Sequence, residues 1–155
     1  MLKKEENLDL KNLENAIPEN ISDFFKQNRV ATVCFTDTKN VPYCFTGFFV
    51  LNNGSATLVF KSSYGTSHED STLFSSMVSG TVLPEQLDVL KIKGIQFTGR
   101  TLNQEEIIDE YISMYYKKYP FARVVGGYIW AVSLQSIKFT DNTLLFGNKT
   151  KWFSK

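Results

Sequence analysis

Residues 40–61 read NVPYCFTGFFVLNNGSATLVFK. As far as Phe60 this run carries no charge, and its length invites comparison with a bilayer span. Pro42 near its start and Asn52-Asn53-Gly54-Ser55 in its middle argue against a spanning helix and divide it into two strands and a turn. Asn53-Gly54 is the strongest hairpin signal in the chain, because both central residues of a type I′ turn need positive φ. The expectation is a long aromatic strand over Val41–Leu51, a tight turn, and a return over Ser55–Lys61. Tyr43, Phe45, Phe48 and Phe49 point to both faces of the first strand, so core or a partner should cover both sides. Stacking on a flat ligand or on single-stranded nucleic acid is the sharper alternative.

The neighbouring segments extend the pattern. Arg29–Thr36 is rich in β-formers and leads through Asp37-Thr38-Lys39-Asn40, a turn, into the aromatic strand. Before it, Ile17, Ile21, Phe24 and Phe25 follow helical spacing, and Pro18 suits a first helical turn. Residues 1–16 are charged and read as an arm or weak helix; residues 17–155 read as the domain. After Lys61, Thr66 with Glu69 and Ser67 with Asp70 form overlapping capping boxes, predicting a short helix from about Thr66. Val78–Leu83 reads as a strand, Pro84–Asp88 as a loop, and Val89–Leu102 as a long strand whose Gly94 and Gly99 mark bulges. Asn103 and Glu106 make a capping box for a helix over Gln104–Lys118, with Leu102 and Ile107 as its hydrophobic staple and Pro120 as its stop. Tyr128–Thr140 is a further strand, Asp141-Asn142 a tight turn, and Thr143–Gly147 the return. The sum is about seven strands and three helices, joined mostly as hairpins. So many antiparallel strands in one short domain have edges to hide, and closure into a small barrel hides them.

Composition narrows the chemistry. The chain has 155 residues, 43% hydrophobic and 14% aromatic, and a net charge of +1. A broad phosphate-neutralising surface for nucleic acid would need more basic residues. Nothing near the N-terminus forms an apolar signal core, and a soluble cytoplasmic protein is the expectation. Cys34 and Cys44 flank the first hairpin turn; a cross-strand link is compatible with that placement, but two buried, inert thiols are expected. One histidine, His68, builds no histidine metal cage, and no metal site is predicted.

The segment Lys61-Ser62-Ser63-Tyr64-Gly65-Thr66-Ser67-His68 leaves a strand and opens a helix. It combines free helix-start N–H groups with an ammonium, four hydroxyls and the imidazole, which are the parts of a phosphate site. Against that, Thr66 and Ser67 can cap the same N–H groups, and Glu69 and Asp70 oppose an anion. His68 alone is also a candidate haem ligand. Lys138, Lys149 and Lys151 with Trp152 could clamp an anion, though a solvated tail is the expectation. No nucleophile elbow, P-loop or paired-carboxylate pattern occurs, so any redox chemistry would come from a cofactor.

Three stretches carry a resemblance: Ile95-Gln96-Phe97-Thr98-Gly99, Tyr119-Pro120-Phe121-Ala122-Arg123, and Ile137 through Gly147 followed by Lys149 and Trp152. Together with the element order they resemble the pyridoxamine phosphate oxidase-like, FMN-binding split-barrel superfamily, and more closely a small branch related to it. The resemblance runs from about Ile21 to Trp152. It implies a mainly β (α+β) fold, a six- to seven-stranded antiparallel split β-barrel with about three helices. It also implies a homodimer holding FMN between subunits. Thr66, Ser67 and His68 occupy the stretch where the family holds the FMN phosphate, with Lys61 the next candidate. Phe45 and Thr46 would lie near the flavin ring edge. The activity class implied is a flavin-dependent oxidoreductase. The chain ends Lys151-Trp152-Phe153-Ser154-Lys155 and lacks the family's C-terminal substrate arginine, so vitamin B6 oxidation is not expected. The alternatives are a barrel that binds haem or another non-flavin ligand, and a dimeric interaction protein without enzymatic activity.

Overall fold

The computed structural model describes residues 16–63, 76–143 and 148–155. Helix α1 (Glu19–Gln27) precedes strands β1 (Val30–Thr36), β2 (Pro42–Asn52) and β3 (Thr57–Ser62). Then come β4 (Met77–Val82), β5 (Lys93–Thr101), a 3₁₀ turn (Gln104–Glu106), helix α2 (Asp109–Lys118), a second 3₁₀ turn (Pro120–Val124), β6 (Tyr128–Asp141) and β7 (Lys149–Phe153). Every pairing is antiparallel, in the order β3-β2-β1-β4-β5-β6-β7. A further pairing of β3 with β6 closes six strands into a barrel. The long strand β6 makes this possible. Its first half, Tyr128–Ser133, pairs with β3, and its second half, Ser136–Thr140, pairs with β7.

Two apolar clusters hold the fold. The barrel interior packs Val33, Phe49, Leu58, Phe60, Ile95, Phe97 and Ile137. Ile21, Phe24 and Phe25 of α1 close this interior, and burying such a side chain contributes about 1.5–3 kcal/mol each. A second cluster lies between α2 and the outer side of β3 and β6. There Tyr111, Tyr115 and Tyr119 cover Val59, Ile129 and Ala131.

The structure revises several sequence expectations. The Asn53-Gly54 hairpin forms, but not through a type I′ turn. Residues 53–56 make a four-residue turn in which Ala56 N–H donates to the Asn53 carbonyl (3.4 Å) and Ser55 N–H to Asn52 Oδ1 (3.0 Å). The residue with positive φ is Ala56 (49°), not Gly54. Strand β5 starts at Lys93 rather than Val89, because the Asp88 carboxylate accepts the Leu90 N–H (2.9 Å) and its carbonyl the Lys91 N–H (3.1 Å), making a turn. Of the two bulges expected from glycine, the one at Gly99 occurs, as a register shift between Thr98 and Gly99, whereas Gly94 pairs in register with Thr140. The single helix over Gln104–Lys118 is two pieces. The Asn103–Glu106 capping box closes, but Ile107 and Ile108 are extended and helix α2 starts afresh at Asp109.

The C-terminus is the largest correction. Lys149–Phe153 is not a solvated tail but a strand, and Trp152 is buried in the barrel cluster. Residues 144–147 of the return expected over Thr143–Gly147 lie outside the described residues; the strand that is described there is β7. Cys34 and Cys44 are not free thiols: they face each other across β1 and β2, with Cα atoms 4.1 Å apart, and form a disulfide. Two α-helices stand among the described residues. The helix expected near Thr66 and residues 1–15 of the arm lie outside them. No described helix is long and apolar enough to cross a membrane.

Candidate functional site

The alternation of β2 decides where the expected site residues go. Tyr43, Phe45 and Phe49 turn into the barrel, whereas Cys44, Thr46 and Phe48 face outward. Phe45 lies against Trp130 (ring centroids 5.1 Å), Phe35 (6.0 Å) and Phe60 (6.4 Å). It is a wall of the barrel interior. Thr46 lies on the other face, with its hydroxyl 3.2 Å from that of Thr32 on β1.

Lys61 stands near the end of β3, where the sequence places it. Its Nζ donates to the carbonyls of Ala122 (2.5 Å) and Val125 (2.6 Å) and sits 4.9 Å from the centroid of the Tyr116 ring. It pins the 3₁₀ turn after α2 to the end of β3, leaving one ammonium hydrogen uncommitted. Thr66, Ser67 and His68 lie outside the described residues. Phe45, Thr46 and Lys61 therefore do not converge on one point.

What Thr46 adjoins is a cleft of about 460 Å³ on the outer face, lined by Arg29, Val30, Thr32, Phe48, Leu83 and Glu85 among others. Three elements build it: the start of β1, the middle of β2, and the segment that follows β4. Thr81 at the end of β4 adds another hydroxyl, because Thr32 pairs directly with both Thr46 and Thr81. Val30, Phe48 and Leu83 supply apolar surface and are all exposed. Arg29 and Glu85 close one end through a bidentate pair, Nε–Oε1 2.6 Å and Nη2–Oε2 2.9 Å. Hydrogen bonding from Arg29 holds the Glu85 carboxyl below the usual carboxylate range. The pair is exposed, so its value is in aligning the loop after β4 with β1 more than in stability.

Behind Phe48, Tyr119 donates from its hydroxyl to the Phe49 carbonyl (2.7 Å), and burial pushes that phenol well above its usual pKa. Lys118 donates to the same carbonyl (3.2 Å) and is lowered by burial, with Arg29 adding to the effect.

Arg29, Thr32 and Thr81 were not singled out from sequence, and Phe48 only as one of the aromatics offered for stacking on a flat ligand. A signal for two of them was present. Counting outward from the Asp37–Asn40 turn pairs Thr32 with Thr46, and a period of two from Thr46 leads to Phe48. Among the described residues, no three His, Cys, Asp or Glu side chains gather to hold a metal ion.

The closed six-stranded antiparallel barrel, carrying an extra strand on β6 and a hydroxyl-lined cleft on its outer face, defines a split β-barrel protein. Solved structures support that class. A heme binding protein from Mycobacterium smegmatis superposes with a TM-score of 0.66 at 13% identity, covering 88% of this chain and 59% of that one. An FAD binding protein from the same organism gives 0.58 at 16% identity, covering 82% of this chain and 97% of that one. At such identities the likeness is one of fold alone. No protein-family model matches the chain. Closer in sequence is a UPF0306 protein from Serratia proteamaculans (strain 568), 31% identical over 137 residues, which cover 86% of this chain and 93% of the relative. The chain belongs to the UPF0306 family.

Proposed function

We propose that this protein is a homodimeric split barrel that binds FMN, with the flavin ring in the cleft beside Thr46 and a second subunit closing over it. The observation that carries the reading is the chemistry of the cleft. A flavin ring is a flat apolar plate with hydrogen-bonding atoms along its edge. Val30, Phe48 and Leu83 offer apolar walls, while Thr32 and Thr81 offer hydroxyls, with Thr46 adjoining through its contact with Thr32. The resemblance in sequence assigns Thr46 to the same neighbourhood. These residues fit the ring. The phosphate would fall to Thr66, Ser67 and His68, as the resemblance implies, since Arg29 is already neutralised by Glu85. Bound flavin would supply hydride or electron transfer, and the protein's own groups would set access and polarity around it.

Support for a second subunit comes from the segment after β4. Leu83, Leu87, Val89, Leu90 and Ile92 are all more than half exposed. A run of that kind marks an interaction surface. Its first residue, Leu83, is itself a wall of the cleft.

Haem is the second reading, favoured by the likeness of fold to the heme binding protein from Mycobacterium smegmatis. The chain's one imidazole, His68, would then be the axial ligand.

The test is the visible spectrum of purified protein mixed with FMN, FAD or haemin and freed of excess. FMN retained at about one per subunit, and weakened about tenfold by Thr32→Val with Thr46→Val, supports the first reading. A haem band that disappears in His68→Ala moves the assignment to haem. A folded protein that retains none of the three overturns both.

A further inference from the structure

A second groove, of about 430 Å³, lies on the same outer sheet face across β4, β5, β6 and β7. Strand register explains its lining. Cys44, Cys34, Ser79, Thr98, Ser136 and Phe153 form one continuous cross-strand row. In the next row Thr81, Gln96, Lys138 and Lys151 follow one another. Lys138 and Lys151 stand directly opposite each other, an arrangement that is destabilising between like charges unless an anion joins them. Neither takes part in an ion pair among the described residues, and no carboxylate lines the groove. Ser79, Thr81, Gln96, Thr98 and Ser136 add hydroxyl and amide groups, and Phe97, Ile137 and Phe153 add apolar surface.

Cys34 lines this groove and Cys44 does not. The disulfide therefore presents one sulfur to the groove, with its partner on the far side, on β2. Thiol–disulfide exchange needs the incoming thiolate in line with the bond being broken. A thiolate in the groove meets Cys34 Sγ from the side opposite Cys44. Cys44 is exposed, so its thiolate would leave into solvent. Lys138 is three strands from Cys34, roughly 14 Å of sheet, a span that a small molecule and a lysine side chain cover together.

We propose that this groove is a docking site for a small anionic thiol, which exchanges with the Cys34–Cys44 disulfide. The carboxylate of the thiol faces the Lys138 ammonium, and Lys151 beside it on β7 adds to the positive charge. Its thiolate forms a bond to Cys34 Sγ as the Cys34–Cys44 bond breaks, and Cys44 takes the electron pair and then a proton. A second thiol attacks the mixed disulfide at the ligand sulfur and releases Cys34 as a thiolate, which is protonated in turn. Two thiols are oxidised to one disulfide, and the protein disulfide gains two electrons. The proposal is independent of any flavin, and its readout is thiol chemistry alone.

The test measures reduction of the oxidised protein by 3-mercaptopropionate, which is anionic, and by neutral 2-mercaptoethanol. Each rate is taken per thiolate and normalised to the same reagent's rate with a simple neutral disulfide. Alkylation and mass spectrometry follow the products. The wild type should favour 3-mercaptopropionate about fivefold at low salt, and the preference should vanish near 1 M salt. It should also vanish in Lys138→Gln/Lys151→Gln, and the trapped mixed disulfide should sit on Cys34 with Cys44 alkylated. Equal rates in the wild type overturn the proposal. So does a preference unchanged by salt or by the double variant, a mixed disulfide on Cys44, or two free thiols in protein isolated in air. Should the double variant fail to fold, Lys151→Gln, on the edge strand β7, combined with the salt titration of the wild type gives the same decision.

Discussion

Gly127 sits at φ +135°, where side chains are strained, and a Cβ there would overlap the carbonyl of Ser62. Both effects act against alanine, so Gly127→Ala should cost about 3 kcal/mol or more in urea unfolding. Gly54 is the control. Its φ is ordinary, and an added Cβ would meet only Asn52 Oδ1 at 3.5 Å, so Gly54→Ala should change stability by less than about 0.5 kcal/mol. Equal midpoints for the two variants would refute the argument. The contrast also shows what sequence can carry at this scale. Asn53-Gly54 announces a hairpin, and a hairpin forms; but the left-handed residue is Ala56, because turn type depends on which strand residues close the pair, here Asn52 and Thr57. Gly126-Gly127 announces only a break. That Gly127 is pressed against the end of β3 is a fact of barrel closure, which no local pattern encodes.

At the scale of elements, the connection from β5 to β6 is held by side chains reaching back to the sheet. Lys61 ties the segment 120–125 to β3 through two carbonyls. Lys61→Met should lower stability by about 1–2 kcal/mol, measured by urea unfolding, since it leaves the part-buried Ala122 carbonyl, and the exposed one of Val125, without their donor. FMN affinity should stay unchanged; a fall in affinity at constant stability would make Lys61 a phosphate ligand instead. Glu106 ties the first 3₁₀ turn to β5. It accepts from both guanidinium nitrogens of Arg100 (2.9 and 3.1 Å) and from Asn103 N–H (2.8 Å). The Arg100 bond, then the Asn103 bond, bring its carboxyl down to about 2. A depressed carboxylate adds stability above its unfolded value, near 4.5, and loses it as pH falls toward 2. Acid unfolding of Glu106→Gln should therefore be flatter than that of wild type between those limits; parallel curves would remove the pair from the account. The capping box that positions this carboxylate was readable in the sequence. The break at Ile107-Ile108 was not, because Ile107 is drawn onto the cluster of Tyr111 and Tyr115 by tertiary packing that overrides helical continuity.

At the scale of the molecule, barrel closure was legible from strand count and hairpin connections, since about seven antiparallel strands in this length leave edges that closure removes. The role of the C-terminus was obscured by its three lysines in the last seven residues, which read as solvated. On the edge strand Lys149 and Lys151 face outward while Trp152 turns inward, so a charged segment became β7. The cleft was barely legible: Thr46, named from sequence, only adjoins it through Thr32, and Thr81 and Leu83 reach it through the β1–β4 pairing. The remaining question at this scale is what covers the apolar run from Leu83 to Ile92. Leu87, Val89 and Leu90 are each more than 70% exposed. Leaving them in water forfeits stabilisation of about 1.5–3 kcal/mol apiece that burial would give. The run begins at the cleft, and Phe48 on the cleft's other side stacks near Phe121 (6.3 Å), which is also exposed. Apolar surface thus flanks the cleft on two sides, which suits a second copy of the chain docked across it. Light scattering should give twice the chain mass of 17.7 kDa. Leu87→Asp with Leu90→Asp should reduce it to the single chain mass without altering the circular dichroism, because neither side chain contributes to a described core cluster. FMN retention should fall together with the dimer. A wild type that scatters as a single chain would exclude the dimer, and a monomeric variant that still retains FMN would confine the cleft to one subunit.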